Sequence, residues 1–261
     1  VFFYTGFMYT NTMKRKIGLL IAIFIITAVT QIPAFRLTPM VQEFSPAGQG
    51  TRQTFTVINN ENRPIAVRIE FAHRDIDIHG NETLEDASGK FSAFPPQMVV
   101  QPDSRQVVRV QWRGEPSVEK EQAYRLIARQ LPVEFDREQQ EGVSLNIMFV
   151  YQASVYVSPP EEQVDVVIED VERTVDEEGN PLLSLELNNR GNVRTVIDDP
   201  SVTIRSTQNG TSEEITLQGA QLGPLSGVNV LAGNRRIVSV PWPDELPEGD
   251  LDATSFEYSR R

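Results

Sequence analysis

The sequence predicts an all-β protein built from two β-sandwiches, and three observations carry that prediction. Short runs rich in β-branched residues recur at intervals of about ten residues, each closed by turn formers. No segment sustains a helical period over successive turns. A proline pair, Pro159-Pro160, divides the residues that follow an apolar leader into two stretches of sandwich size.

Taken in order, the first element is the leader. Met13 is followed by Lys14-Arg15-Lys16 and an apolar run from Ile17 to Val29, the order of a secretory signal peptide. A mature chain beginning near Phe35 is expected, with Ala34 before the cut, although Ile32 is bulkier than the usual residue two positions earlier. A membrane anchor needs roughly twenty apolar residues. This run is shorter and is followed by Thr30, Gln31 and Pro33, so no stable membrane insertion is expected after cleavage. Val1–Thr12 reads as an upstream extension, with Met13 the start.

Strands are expected over Arg52–Ile58, Ile65–Ala72, Gln106–Trp112, Leu145–Val157, Leu182–Leu187, Val202–Arg205 and Arg236–Val240. Turns fall at Asn59-Asn60-Glu61-Asn62, His79-Gly80-Asn81 and Glu177-Glu178-Gly179-Asn180. Paired prolines cannot extend a ladder, and Glu161-Glu162 follow at once, so the boundary lies there. The organisation is residues 1–34 as extension and signal, 35–158 as a first domain and 161–261 as a second. Both domain lengths suit an immunoglobulin-like sandwich.

Composition excludes several function classes. The hydrophobic content of 39% is enough for real cores, so this is not a disordered acidic tail. Losing Val1–Ala34 removes three basic and no acidic residues, which leaves 21 Lys plus Arg against 36 Asp plus Glu. A net charge near −15 argues against nucleic acid as a partner. The absence of cysteine rules out disulfides, thiol catalysis and cysteine metal sites. Export without disulfides points to a bacterial envelope protein held together by its cores.

Candidate chemistry is sparse. His73 and His79 are the two histidines. "DIDIHGNE" has Asp75, Asp77, Gly80 and Asp86 at spacings tolerable for a calcium loop, but the final glutamate is absent and a histidine stands at the fifth position. A hairpin turning at His79-Gly80-Asn81 is the stronger reading, and no metal or other cofactor is expected. There is no glycine-rich phosphate loop and no G-x-S-x-G elbow. Asp198-Asp199 and Glu213-Glu214 read as solvated surface. The sequence offers no enzyme. "FPPQMVVQPDSRQVVRVQW", Phe94–Trp112, reads as a hairpin punctuated by Pro95-Pro96 and Pro102-Asp103, with Val107 and Val108 alternating with Arg105, Arg109 and Gln111.

Read together, these segments resemble a known family. The proline pair followed by "VQPDSRQVVRV", and "EKEQAYRLIARQLPV" with its Lys120-Glu121 pair and Leu131-Pro132, are similar to the first domain of PapD-like periplasmic pilus chaperones of the chaperone–usher pathway. "LNNRGNVRTVI" and "LAGNRRIVSVPWP" resemble the second domain, most like the family's divergent, archaic branch. The resemblance runs from Phe35 to Tyr258. It departs at Arg125, where an aromatic or threonine is usual, and at Ile127, which replaces an asparagine.

The resemblance implies two immunoglobulin-like domains in an L-shaped arrangement, a periplasmic location and no enzymatic activity. It implies that the chain binds a pilus or fibre subunit, an incomplete sandwich, by lending it a strand, and delivers it to an outer-membrane usher. The donor residues would be Val143, Leu145, Ile147 and Phe149, each supplying about 1.5–3 kcal/mol when covered. Met148 and Val150 would then pack inward. On residue pattern alone, a row facing the protein's own core is the stronger reading. Relatives also grip the subunit's terminal carboxylate with an arginine and a lysine; here the lysine position falls on Ser154, and the arginine position near Pro39 or Met40. Arg36, Arg125 and Arg129 are the candidates to replace them, Arg125 first. A different class of function, a non-catalytic adhesive or spacer protein of the cell surface, is the alternative.

Overall fold

The computed structural model describes residues 35–132 and 147–260; the expected leader, and Val143 and Leu145 with it, lie outside the described residues. Ten strands come first: β1 (Arg36–Thr38), β2 (Val41–Phe44), β3 (Arg52–Asn59), β4 (Ile65–Ile76), β5 (Glu82–Asp86), β6 (Phe91–Phe94), β7 (Gln97–Val100), β8 (Ser104–Trp112), β9 (Gln122–Leu131) and β10 (Val150–Val157). They form one sheet in the order β1-β3-β8-β6 and a second in the order β2-β10-β9-β4-β5, with β7 also on β4. Every pairing is antiparallel except β2 with β10.

Seven strands follow: β11 (Val166–Val175), β12 (Pro181–Asn189), β13 (Thr195–Gln208), β14 (Thr211–Gln218), β15 (Asn229–Val230), β16 (Arg235–Pro241) and β17 (Asp250–Arg260). Their sheets run β11-β12-β16 and β14-β13-β15, with β17 also on β13. The fold is therefore all-β, with two sandwiches.

Period-two alternation explains the packing. In β3, Phe55 and Val57 point inward while Arg52 and Thr54 point to solvent. In β8, Val108, Val110 and Trp112 are buried and Arg105, Val107 and Arg109 are exposed, so the two adjacent valines fall on opposite faces. Phe91 sits at the centre of an aromatic cluster, with ring centroids 4.8 Å from Phe71 and 5.0 Å from both Trp112 and Tyr124. The second core is separate and mainly aliphatic, built on Leu183, Leu185, Leu187, Ile197, Val202 and Ile204.

A buried asparagine organises the same turn in each sandwich. Asn59 Nδ2 donates to the carbonyls of Arg63 (2.9 Å) and Val100 (3.0 Å), while its Oδ1 accepts from Glu61 N. Asn189 repeats this with Val193 (2.9 Å), Val230 (3.0 Å) and Gly191 N. The hairpin reading of "DIDIHGNE" is what the structure has: Asp77 Oδ1 accepts from the His79 and Asn81 amides, and Gly80 takes a positive φ of 91°.

Two expectations need correction. The strand expected from Leu145 begins at Val150, and Ile147–Phe149 belong to no regular element. The central strand β9 was not anticipated at all. Its "QAYRLIARQL" lacks alternation because Tyr124, Leu126 and Ala128 face the first core while Ala123 and Ile127 are buried on the other side. A strand covered on both faces loses the period-two signature.

From Phe35 onward the chain is one compact unit. The turn after β4 meets β16, with Ile237 N donating to Ile78 O (2.7 Å) and Asn234 Nδ2 to Asp75 Oδ1 (2.8 Å). Ala123, Tyr156 and Leu231 form a small shared core, with Ile76 against it. Beside it, Arg194 Nη1 donates to Glu121 Oε2 (2.7 Å) and Nη2 to Glu43 Oε1 (2.7 Å), its guanidinium lying 3.6 Å from the Tyr156 ring centroid.

Candidate functional site

Strand β10 is half-paired. On one side β9 covers its whole length, from Val150 opposite Arg129 to Val157 opposite Gln122. On the other side β2 pairs only with Ser154–Val157. Among the described residues, Val150–Ala153 therefore has no strand on that side. An open stretch of sheet edge presents unpaired N–H and C=O groups that another strand can use.

The side chains along this edge are apolar and uncovered. Ile147 is 47% exposed, Met148 54% and Val150 44%, and Met40 and Val41 are exposed where the chain enters β2 beside Ser154. Among the described residues, five of the eleven large exposed hydrophobics thus sit along one edge, which is the pattern of an interaction site rather than of scattered surface residues.

The phase of β10 corrects the expected orientation of Met148 and Val150. Ala153, Val155 and Val157 are fully buried in the first core, and period two places Tyr151 and Phe149 on that same face, where both are half-buried against it. Met148 and Val150 consequently face away and are exposed. Ile147 is in phase with the core-facing row but lies beyond the end of the core, which leaves it in solvent.

At Ser154 the structure assembles a cluster that the sequence hinted at only through Arg125. Arg125 stands directly across from Ser154 in the β9–β10 register, and its Nη1 donates to Ser154 Oγ at 2.6 Å. The rest of its fork grips Glu82, Nη2 to Oε2 at 2.6 Å and Nε to Oε1 at 3.0 Å. A second guanidinium, Arg74, reaches the same Oε2 from its Nε at 2.6 Å and donates from Nη1 to Tyr156 Oη at 3.0 Å. Asn229 Nδ2 of the second sandwich donates to that hydroxyl at 3.2 Å, so the cluster faces the junction of the two sandwiches.

Two guanidinium groups converging on one carboxylate leave a local excess of positive charge. The bond from Arg125 holds the Glu82 carboxyl below its ordinary value; partial burial opposes this and Arg74 reinforces it. Charge-assisted, two-point binding of a carboxylate is therefore already realised here, with an internal group as the occupant.

The other two candidate arginines do not join this cluster. Arg129 lies across from Val150, pairs with Glu70 at 3.1 Å and is half-exposed. Arg36 lies in the other sheet, on its outward face. Sequence reading missed Arg74 and Glu82 because they converge through the β4–β5 hairpin register, with Arg74 beside Leu84 and Glu82 beside Ile76. It also missed the role of Glu121, noted only as half of a charged pair; a charged residue followed by a strand carries no signal of a partner 73 positions away.

Residues 45–163 match the family model for pili and flagellar-assembly chaperones, the PapD N-terminal domain. Over these residues the chain carries a PapD-like N-terminal domain. Members of that family are periplasmic and non-catalytic. No curated protein sequence matches this PapD-like chain at a significant level. Solved structures match its fold: a chain of the chaperone–tip adhesin complex of CFA/I fimbriae has 11% identity and a TM-score of 0.53 over 86% of this chain and 98% of its own. The class 5 fimbriae chaperone CfaA has 13% identity and a TM-score of 0.52, covering 87% of this chain and 100% of its own. A chain of the CsuC–CsuE chaperone–tip adhesion subunit complex, from the archaic chaperone–usher Csu pili of Acinetobacter baumannii, has 12% identity and a TM-score of 0.53 over 87% and 97%. At such identities the likeness concerns the two-sandwich fold. In this PapD-like chain Ser154 is met by the Arg125 guanidinium from the neighbouring strand.

Proposed function

We propose that this chain is a non-enzymatic periplasmic chaperone that holds a pilus or surface-fibre subunit by lending it the free edge of β10, and delivers it to an outer-membrane usher. The observation that carries this reading is the half-paired strand, with Val150–Ala153 unpaired on one side and Ile147, Met148 and Val150 exposed along it. The donor row is Val143, Leu145, Ile147 and Phe149, of which Ile147 is exposed and Phe149 is half-buried against the first core. Capture by backbone pairing, with alternate side chains filling an open groove, needs neither a cofactor nor a covalent step. Two domains, 35–158 and 161–261, and a cleaved leader ending at Ala34 complete the reading.

Arg125 and Arg74 serve as the anchor for the subunit's terminal carboxylate, with Arg129 beside the entry to the edge and Arg36 uninvolved. Glu82, on an exposed strand, keeps the two guanidinium groups poised until a subunit carboxylate takes its place.

The test is co-expression with small secreted proteins encoded beside the gene, followed by affinity capture from periplasmic extract. A stoichiometric partner captured by wild type, lost with Ile147→Asp and weakened at least tenfold by Arg125→Ala, is expected. A partner retained equally by Ile147→Asp would remove the donor-strand reading in favour of an adhesive or spacer protein; one lost with Ile147→Asp but unaffected by Arg125→Ala would remove only the arginine anchor.

A further inference from the structure

The outward face of the sheet β1-β3-β8-β6 has a charge opposite to that of the molecule. Arg36, Arg52, Arg105 and Arg109 project from it, Arg113 follows one residue past β8, and all five are exposed. The remaining outward positions of these strands hold only hydroxyl, amide and apolar side chains. None of the five forms an ion pair among the described residues, whereas ten other arginines do. In a chain with a 12-charge acidic surplus, leaving one face without a carboxylate is a marked segregation. Residues 161–261 carry the balance, 20 acidic against 8 basic side chains.

The face also has relief. Between Arg52, Arg109, Arg113, Ser92 and Phe94 lies a cavity of about 520 Å³, and the Phe94 ring beside it is 72% exposed. Val107, 46% exposed, stands between Arg105 and Arg109 on β8. Strand geometry spaces Arg105, Arg109 and Arg113 about 13 Å apart, and Arg52 and Arg36 lie on the strands alongside.

We propose that this face docks the protein on the surface of an anionic phospholipid bilayer. Charge complementarity selects the occupant. A single small anion would fill the cavity and leave Arg36 and Arg105, at the far end of the face, without a partner. A plane of phosphodiester headgroups engages all five guanidinium groups at once, with one headgroup in the cavity and Phe94 and Val107 entering the interface between lipids. The acidic second sandwich is repelled by the same surface, so the field turns the arginine face toward the membrane. The β10 edge belongs to the other sheet of the first sandwich, so docking leaves it free.

The test is co-sedimentation of the exported, purified protein with phosphatidylethanolamine vesicles, with and without phosphatidylglycerol. Binding is expected only to the anionic vesicles and is expected to disappear between about 0.1 M and about 1 M salt, where screening shortens from ~10 Å to ~3 Å. Arg52→Gln/Arg109→Gln/Arg113→Gln should weaken binding roughly a hundredfold, about fivefold per charge. The matching triple Arg→Lys variant should bind as wild type, which separates charge from any folding defect, and Phe94→Ser should weaken binding severalfold. Equal binding to neutral vesicles, no binding to anionic ones, full retention by the Gln variant, or salt-sensitive capture of an acidic protein without vesicle binding would overturn the proposal. Subunit capture by the Gln variant should be unchanged, so a negative result here leaves the chaperone reading intact.

Discussion

Replacing Glu121 with glutamine should uncouple the two sandwiches. Its side chain is 1% exposed and accepts three hydrogen bonds: from Arg194 Nη1 at 2.7 Å, from Arg194 N at 3.0 Å and from Ser158 Oγ at 2.8 Å. Breaking one partner of a buried pair costs about 3–5 kcal/mol, because the other charge is left uncompensated. Arg194 is 12% exposed and keeps Glu43 and the face of Tyr156, so the cost falls at or just below the bottom of that range, about 2–3 kcal/mol. Burial acts against the Arg194 charge, yet Glu121 and Glu43 outweigh it, and the net direction is toward a firmer cation. The assay is urea unfolding followed by fluorescence, since Trp112 reports on the first sandwich and Trp242 on the second. Loss of Glu121 should lower stability and separate the two emission transitions. A double-mutant cycle with Arg194→Gln should give a coupling of at least about 1.5 kcal/mol. If Glu121→Gln stays within about 0.5 kcal/mol of wild type and the cycle is flat, the bridge does not hold the sandwiches together.

Three further outcomes are expected. The Glu82 carboxyl is held below its ordinary value of 4.5, so its contribution is fully present above that pH and is lost as the pH falls through the lowered value; melting curves of wild type and Glu82→Gln should differ at neutral pH and converge in acid, and a pH-independent gap would contradict this. Asn59→Ala and Asn189→Ala should each cost about 2–4 kcal/mol, since several buried bonds are lost together, with the first lowering the Trp112 transition and the second that of Trp242; equal effects on both probes would refute the idea of one organising asparagine per sandwich. Gly80→Ala should destabilise the junction by about 1–2 kcal/mol, because φ is 91° and a new Cβ would meet the Arg236 guanidinium; a neutral result in urea unfolding would show that Arg236 moves aside freely.

How much of this was legible before folding depends on whether the signal was local. Alternation in "RQTFTVI" and "LLSLEL" marked strands with one dry and one wet face, and those strands are present with bounds shifted by one or two residues. The prolines after Val157 marked the end of β10, and the run of uncovered apolar residues ahead of it marked a surface that wants a partner. By contrast, β9 was hidden because burial on both faces erases alternation. The face of Met148 and Val150 was misjudged because phase is set by Ala153, Val155 and Val157, whose neighbours come from β9 and from the opposing sheet.

The sequence alone therefore determined the all-β class, the two cores, the turns and the resemblance to a chaperone family, all of which rest on residues close together in the chain. Only the tertiary structure decided which charges meet. The convergence of Arg74 and Arg125 on Glu82, the seating of Arg194 on Glu121, and the gathering on one face of five arginines that form no ion pair among the described residues each depend on strand order and register. Coulomb interactions act through space and carry no periodicity along the chain, so no local pattern announces them.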